Sequence, residues 1–151
     1  MEQKIIQNTI KINATPHQIW EVLTLADHTQ KYMYGCKAIS TWEEGALLKW
    51  EMLHEGKLFI PVEGIILTIE KPFVLTYTVI DPYADYENII ENHLQVNYHI
   101  EAINENESRL TISQYGFETV ESGEKRYEEI YNDGKGWESI VQQIKNLAEA
   151  L

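Results

Sequence analysis

Four polar side chains stand on otherwise apolar rows of this sequence. Asn8 shares a strand face with Ile6, Ile10 and Ile12. Gln114 follows Leu110 and Ile112, and Tyr77 and Tyr98 carry hydroxyls into apolar rows. A buried polar group needs a partner. Two chemistries satisfy that need: hydrogen bonding within the core or to buried water, or a few polar anchors in an apolar pocket that takes a small molecule. The residues alone leave both open. Trp50, Tyr77, Tyr98, Tyr131 and Trp137 add aromatic surface to the same faces.

Other chemistries find little support. The glycines of "DGKG" lack the spacing and the Lys-Ser/Thr ending of a phosphate loop, and there is no G-x-S-x-G elbow. His93 and His99 share a strand face, but six residues set them ~20 Å apart, and that face reads as solvent-exposed. The five histidines make no metal pattern. Cys36 is the only cysteine, and it reads as buried and inert. Glu43/Glu44, Asp81/Asp85/Glu87 and Glu128/Glu129 are paired carboxylates. Acid–base work needs a desolvated pair, whereas these stretches read as turns or solvated helix faces.

The elements that position these residues follow from periodicity. A strand is predicted over 4–12. "NATPHQIWEVLT" then opens a helix, with Thr15 as N-cap, Pro16 in the first helical position and Gln18 closing a capping box. "ADHTQKYM" predicts a second short helix capped by Asp27. "LLKWEML" alternates, with Leu48, Trp50 and Met52 on one face. "HEGK" turns it into a strand over 58–70, in which Pro61 marks an edge or bulge. Residues 75–79 read as a half-buried strand. Residues 81–92 read as a loop or short helical excursion. The cleanest alternation is 93–102, paired through "NENE" with 108–117.

At the C-terminus, Trp137, Ile140, Val141, Ile144, Leu147, Ala148 and Leu151 keep helical spacing. The phase extends back through Gly134 to Tyr131, Ile130 and Tyr127. Gly134 and Gly136 therefore mark a kink or break. The pair is expected to lie beside a cavity, with Gly134 leaving space against the sheet. It would divide a mobile lid, 121–133, from a packed helix, 137–151. Helices on one face of an antiparallel sheet make an α+β domain, here expected to span 1–151.

The 151 residues carry 12 basic and 24 acidic side chains, for a net charge of −12. No basic footprint exists, which excludes nucleic acid and disfavours anionic membranes. No apolar run reaches the ~20 residues of a membrane span. A lone cysteine and no signal-like run indicate a cytoplasmic protein.

The ordered set "IKINATPHQIWEVLT", "EG" before "LLKWEM", "EGIILTIEKPFVLTYT", "SRLTISQYGF" and "GWESIVQQIKNLAEAL" resembles the helix-grip START/SRPBCC (Bet v 1-like) superfamily. Within it, the set is most similar to the group named after activators of the heat-shock protein 90 ATPase. Tyr32 stands where that group often has Trp, and 81–92 has no clear counterpart. The resemblance implies a seven-stranded sheet curled around the C-terminal helix, with a cavity between them. It also implies an apolar small molecule as partner; no cofactor is expected. Trp50, Met52, Ile66, Tyr77, Tyr98 and Gln114 would line the cavity, and Tyr131, Trp137 and Ile140 would close it. The function expected is binding without catalysis. The alternatives are a cyclase- or hydrolase-like enzyme using the same cavity and a chaperone-related module with a protein partner.

Overall fold

The computed structural model describes residues 1–151. Strand β1 (Ile6–Ile12) leads into helices α1 (Pro16–Thr24) and α2 (Ala26–Tyr32). Six strands follow: β2 (Lys37–Ile39), β3 (Leu47–His54), β4 (Lys57–Glu70), β5 (Val74–Val79), β6 (Leu94–Asn104) and β7 (Glu107–Tyr115). Helices α3 (Gly123–Tyr131) and α4 (Glu138–Glu149) complete the chain. The sheet is antiparallel throughout, in the order β1-β7-β6-β5-β4-β3-β2. Every neighbour except β1–β7 is consecutive in sequence. The chain crosses from one edge to the other through α1 and α2. The result is the α+β helix-grip architecture.

Local chemistry explains most boundaries. The Thr15 hydroxyl accepts from Gln18 N at 3.2 Å, and Gln18 Oε1 accepts from Thr15 N at 2.9 Å, closing the capping box. Asp27 does not cap α2. Leu25 ends α1 and begins α2, so no side-chain cap fits between them, and Asp27 lies in the first turn, where its charge suits the helix dipole. Pro61 lies at a bulge: Trp50 pairs with Val62 but Met52 pairs with Phe59, so two residues of β4 oppose one of β3.

Strand β5 is the middle strand, and both its faces are covered. Thr76 and Thr78 are buried along with Leu75 and Tyr77, so the half-buried expectation fails. Asn97 donates to Thr76 Oγ1 at 2.7 Å, and His93, just after the segment 81–92, places Nδ1 2.7 Å from Thr78 Oγ1. That segment ends in a short 3-10 turn, Ile90–Asn92.

The core lies between the sheet and the α1/α2/α4 layer. Ile140, Val141, Ile144 and Ala148 form the buried stripe of α4, which packs along β1 and across α1. The uniform phase back to Tyr127 does not describe a continuous helix. Asn132, Asp133, Gly134 and Gly136 all have positive φ, so the chain leaves the right-handed helix after Tyr131 and resumes it at Glu138.

Candidate functional site

The break between α3 and α4 is fastened to the sheet edge by one side chain. Asn8 of β1 accepts from the backbone N–H of Trp137 through Oδ1 at 2.9 Å, and its Nδ2 donates to Lys135 O at 3.3 Å. Asn8 thus serves as a remote cap for α4, not as a polar anchor in a pocket. Gly136, with φ 51°, makes this approach possible. A Cβ there would stand 2.7 Å from Ile6 Cγ2 and 2.9 Å from Asn8 Oδ1. Gly134 is different: it is exposed, and a Cβ there would come no nearer than 3.6 Å to the Tyr131 hydroxyl. The residue that lies against the sheet is Gly136, so the expectation placed on Gly134 is corrected.

Between this break, the end of α2, helix α3 and the concave sheet face lies a cavity of about 710 Å³. That is within the ~300–1,000 Å³ of small-molecule sites. Fifteen of its 22 lining residues are hydrophobic, so the wall favours an apolar occupant. Trp50, Met52, Tyr77, Gln114, Trp137 and Ile140 are brought together on it. Three residues expected there are not on the wall. Ile66 is packed fully inside the core. Tyr98 stands behind Tyr77. Tyr131 is half-exposed and stacks on Tyr127 at 5.3 Å, because the chain turns away from the sheet just after it. Gly136, Cys36 and the α3 residues Arg126, Glu129 and Ile130 also line the cavity.

The polar groups are half-used. The indole of Trp137 donates to Gln114 Oε1 at 2.9 Å. Indole can only donate, so this bond fixes the amide orientation. The Gln114 amide nitrogen then has no partner in the chain and is not sealed from the cavity. Behind the wall, the hydroxyls of Tyr77 and Tyr98 meet at 2.5 Å, and Tyr32 donates to the Leu23 carbonyl at 2.9 Å. Burial holds Tyr77 and Tyr32 well above the ordinary tyrosine range, and the neighbouring Tyr98 adds to it. Burial also raises the Cys36 thiol. Both wall groups, Tyr77 and Cys36, therefore stay protonated at neutral pH and supply no base.

Arg126 was missed in the sequence, where it sits in a run of charges. It is buried, with Nη1 donating to Asn92 O at 2.8 Å and Glu121 O at 3.3 Å, and its guanidinium lies 4.4 Å from the Tyr86 ring centre. It ties α3 to the segment 81–92. Two signals mark it: it is one of two arginines in the chain, and it falls at helical spacing with Gly123 and Ile130. His93 was also misread. It is half-buried, with Nδ1 2.7 Å from Thr78 Oγ1 and Nε2 3.1 Å from Asn88 Oδ1. His99 is exposed. No group of three or more His, Cys, Asp or Glu side chains could hold a metal ion.

A seven-stranded antiparallel sheet gripping a C-terminal helix, with an apolar cavity between them, is the helix-grip START/SRPBCC class. Residues 13–149 match the family described as activator of Hsp90 ATPase homolog 1-like protein, and the chain belongs to that family. A Cytophaga hutchinsonii protein solved in solution is similar at 26% identity and a TM-score of 0.72, covering 99% of this chain and 97% of that one. An HSP90 activator from Plasmodium falciparum is similar in fold at 15% identity and a TM-score of 0.69, covering 95% and 94%. The Aha1 dimer of Colwellia psychrerythraea has 13% identity and a TM-score of 0.69, covering 97% and 96%. No curated protein matches the sequence. No helix is long and apolar enough to cross a membrane.

Proposed function

We propose that the protein binds an apolar or aromatic small molecule in the cavity between the sheet, α3 and the start of α4. The observation that carries this reading is the wall itself: a mostly apolar surface with a few polar groups left half-paired. Such a combination is the usual composition of a small-molecule site. Trp50 and Trp137 both lie on it, so an occupant changes tryptophan emission. The test is native mass spectrometry of protein purified from its host, followed by titration of any released molecule into ligand-free protein. A mass above that of the chain, and an emission change that saturates, are expected. Chain mass alone, together with unchanged emission across a panel of apolar compounds, would sink the reading.

An enzymatic role in the same cavity is weaker, because its enclosed titratable groups are held protonated. A second reading is a protein-interaction role with an Hsp90-type chaperone. It is supported by the family match and by the Plasmodium falciparum relative described as an HSP90 activator. Stimulation of a purified Hsp90 ATPase by this protein would favour it. No change in ATPase rate at saturating protein would count against it.

A further inference from the structure

The cavity wall contains one enclosed cation. Arg126 is only 7% exposed, yet no carboxylate of the chain pairs with it: the ion pairs are Lys11–Glu107, Arg109–Glu101 and Lys145–Glu149. Burying a guanidinium without a counterion is costly. Two backbone carbonyls and the Tyr86 ring face offset part of that cost. Both carbonyls use Nη1. A guanidinium offers five N–H donors in a planar fork, and those on Nε and Nη2 have no partner in the chain and are not sealed off. A planar pair of unused donors at the edge of an apolar cavity matches a carboxylate.

The position sets the length of what could reach it. Arg126 docks on the carbonyl of Asn92, and Gln114 pairs with Val96. Four residues of extended chain separate the two levels, roughly 13 Å. The floor beside Gln114 is aromatic and the end at Arg126 is cationic. Asp81 and Glu129 also line the cavity. Both are exposed, so water and salt screen them more than the enclosed guanidinium. Their presence admits a single negative charge more readily than a phosphate dianion.

We propose that the cavity's ligand is an amphipathic monocarboxylic acid, with its apolar body against Trp50, Tyr77 and Trp137 and its carboxylate on Nε and Nη2 of Arg126. This rests on the cavity being a ligand site.

The test compares decanoate, 1-decanol and decylamine by calorimetric titration at neutral pH, with wild type, Arg126→Met and Arg126→Lys. Decanoate is expected to bind about tenfold more tightly than decanol, the scale of one charge-assisted pair. That preference should vanish in R126M and be reduced in R126K. Circular dichroism reports whether each variant folds, and if R126M does not, the wild-type ranking and R126K decide. Equal or tighter binding of decanol or decylamine would overturn the acid assignment while leaving the cavity reading intact, as would a preference that survives in R126M. Binding of none of the three would overturn the acid assignment, while the cavity reading stands or falls on the native mass and the emission panel.

Discussion

The indole N–H of Trp137, at the start of α4, donates to the side-chain oxygen of Gln114 on β7 at 2.9 Å. With the Asn8 bond to its backbone nitrogen, Trp137 is held at two points by two different strands. The first turn of α4 is therefore positioned by the sheet, and the cavity takes its shape from that placement. Replacing Gln114 with Leu removes the acceptor and leaves a buried indole N–H unpaired, at a cost of about 1–3 kcal/mol. A lower urea midpoint with an unchanged slope, and altered tryptophan emission, are the expected readouts. Unchanged stability would mean that the bond is replaced by water.

The two glycines of the break are predicted to differ. Gly136→Ala forces a Cβ to within 2.7 Å of Ile6 and 2.9 Å of Asn8 Oδ1. It displaces the Asn8 cap as well as straining a left-handed residue. Gly134→Ala meets only ordinary contact with the Tyr131 ring and carries the backbone cost of a left-handed residue, about 1 kcal/mol. Thermal unfolding should show the larger loss for Gly136→Ala. Equal losses would show that the contact with β1 yields without cost.

The same glycines show what the sequence could reveal. The alternation of β6 and β7 and the Thr15–Gln18 box depend on near neighbours, so their signals survive in one dimension. The helical phase from Trp137 back to Tyr127 was also visible, but it was accidental across 132–136, where left-handed residues reset it. Six of the nine expected site residues reach the cavity wall, because strand alternation gives the inward face correctly. Tyr131 misses it because its direction depends on that reset phase. Tyr98 misses it because facing inward does not distinguish the wall from the layer behind it. Arg126 escaped notice because its burial is created by Asn92 and Tyr86, which the sequence does not place beside it.

His93 should give the protein a stability change on the acid side of neutrality. Burial is the main influence lowering its pKa from 6.5. Its bonds suit a neutral ring: Thr78 donates to Nδ1, and Nε2–H donates to Asn88. The unfolded chain then binds the proton first. The stability due to His93 is complete above about pH 6.5 and is lost as the pH falls through its lower folded value. Urea midpoints measured at pH steps of wild type and His93→Gln should converge as the pH drops, with wild type losing more. A pH-independent difference between the two proteins would contradict this.

The tyrosines give the opposite sign at high pH. Tyr32, Tyr77 and Tyr98 are enclosed, and burial is the first cause holding all three above the ordinary value of 10.0. The folded state keeps these protons when the unfolded chain releases them. Their contribution is complete below pH 10 and is lost as the pH rises above it. Phenolate absorbance followed with pH should therefore show three of the nine tyrosines silent until the protein unfolds, when they appear together with loss of the far-ultraviolet signal. Tyr98→Phe removes the partner of the Tyr77 hydroxyl across the 2.5 Å contact. It should lower stability at neutral pH by about 1–2 kcal/mol and leave two silent tyrosines. Ionisation of all nine before any unfolding would show that water reaches the hydroxyls behind the wall, and that Tyr98 belongs to the cavity after all.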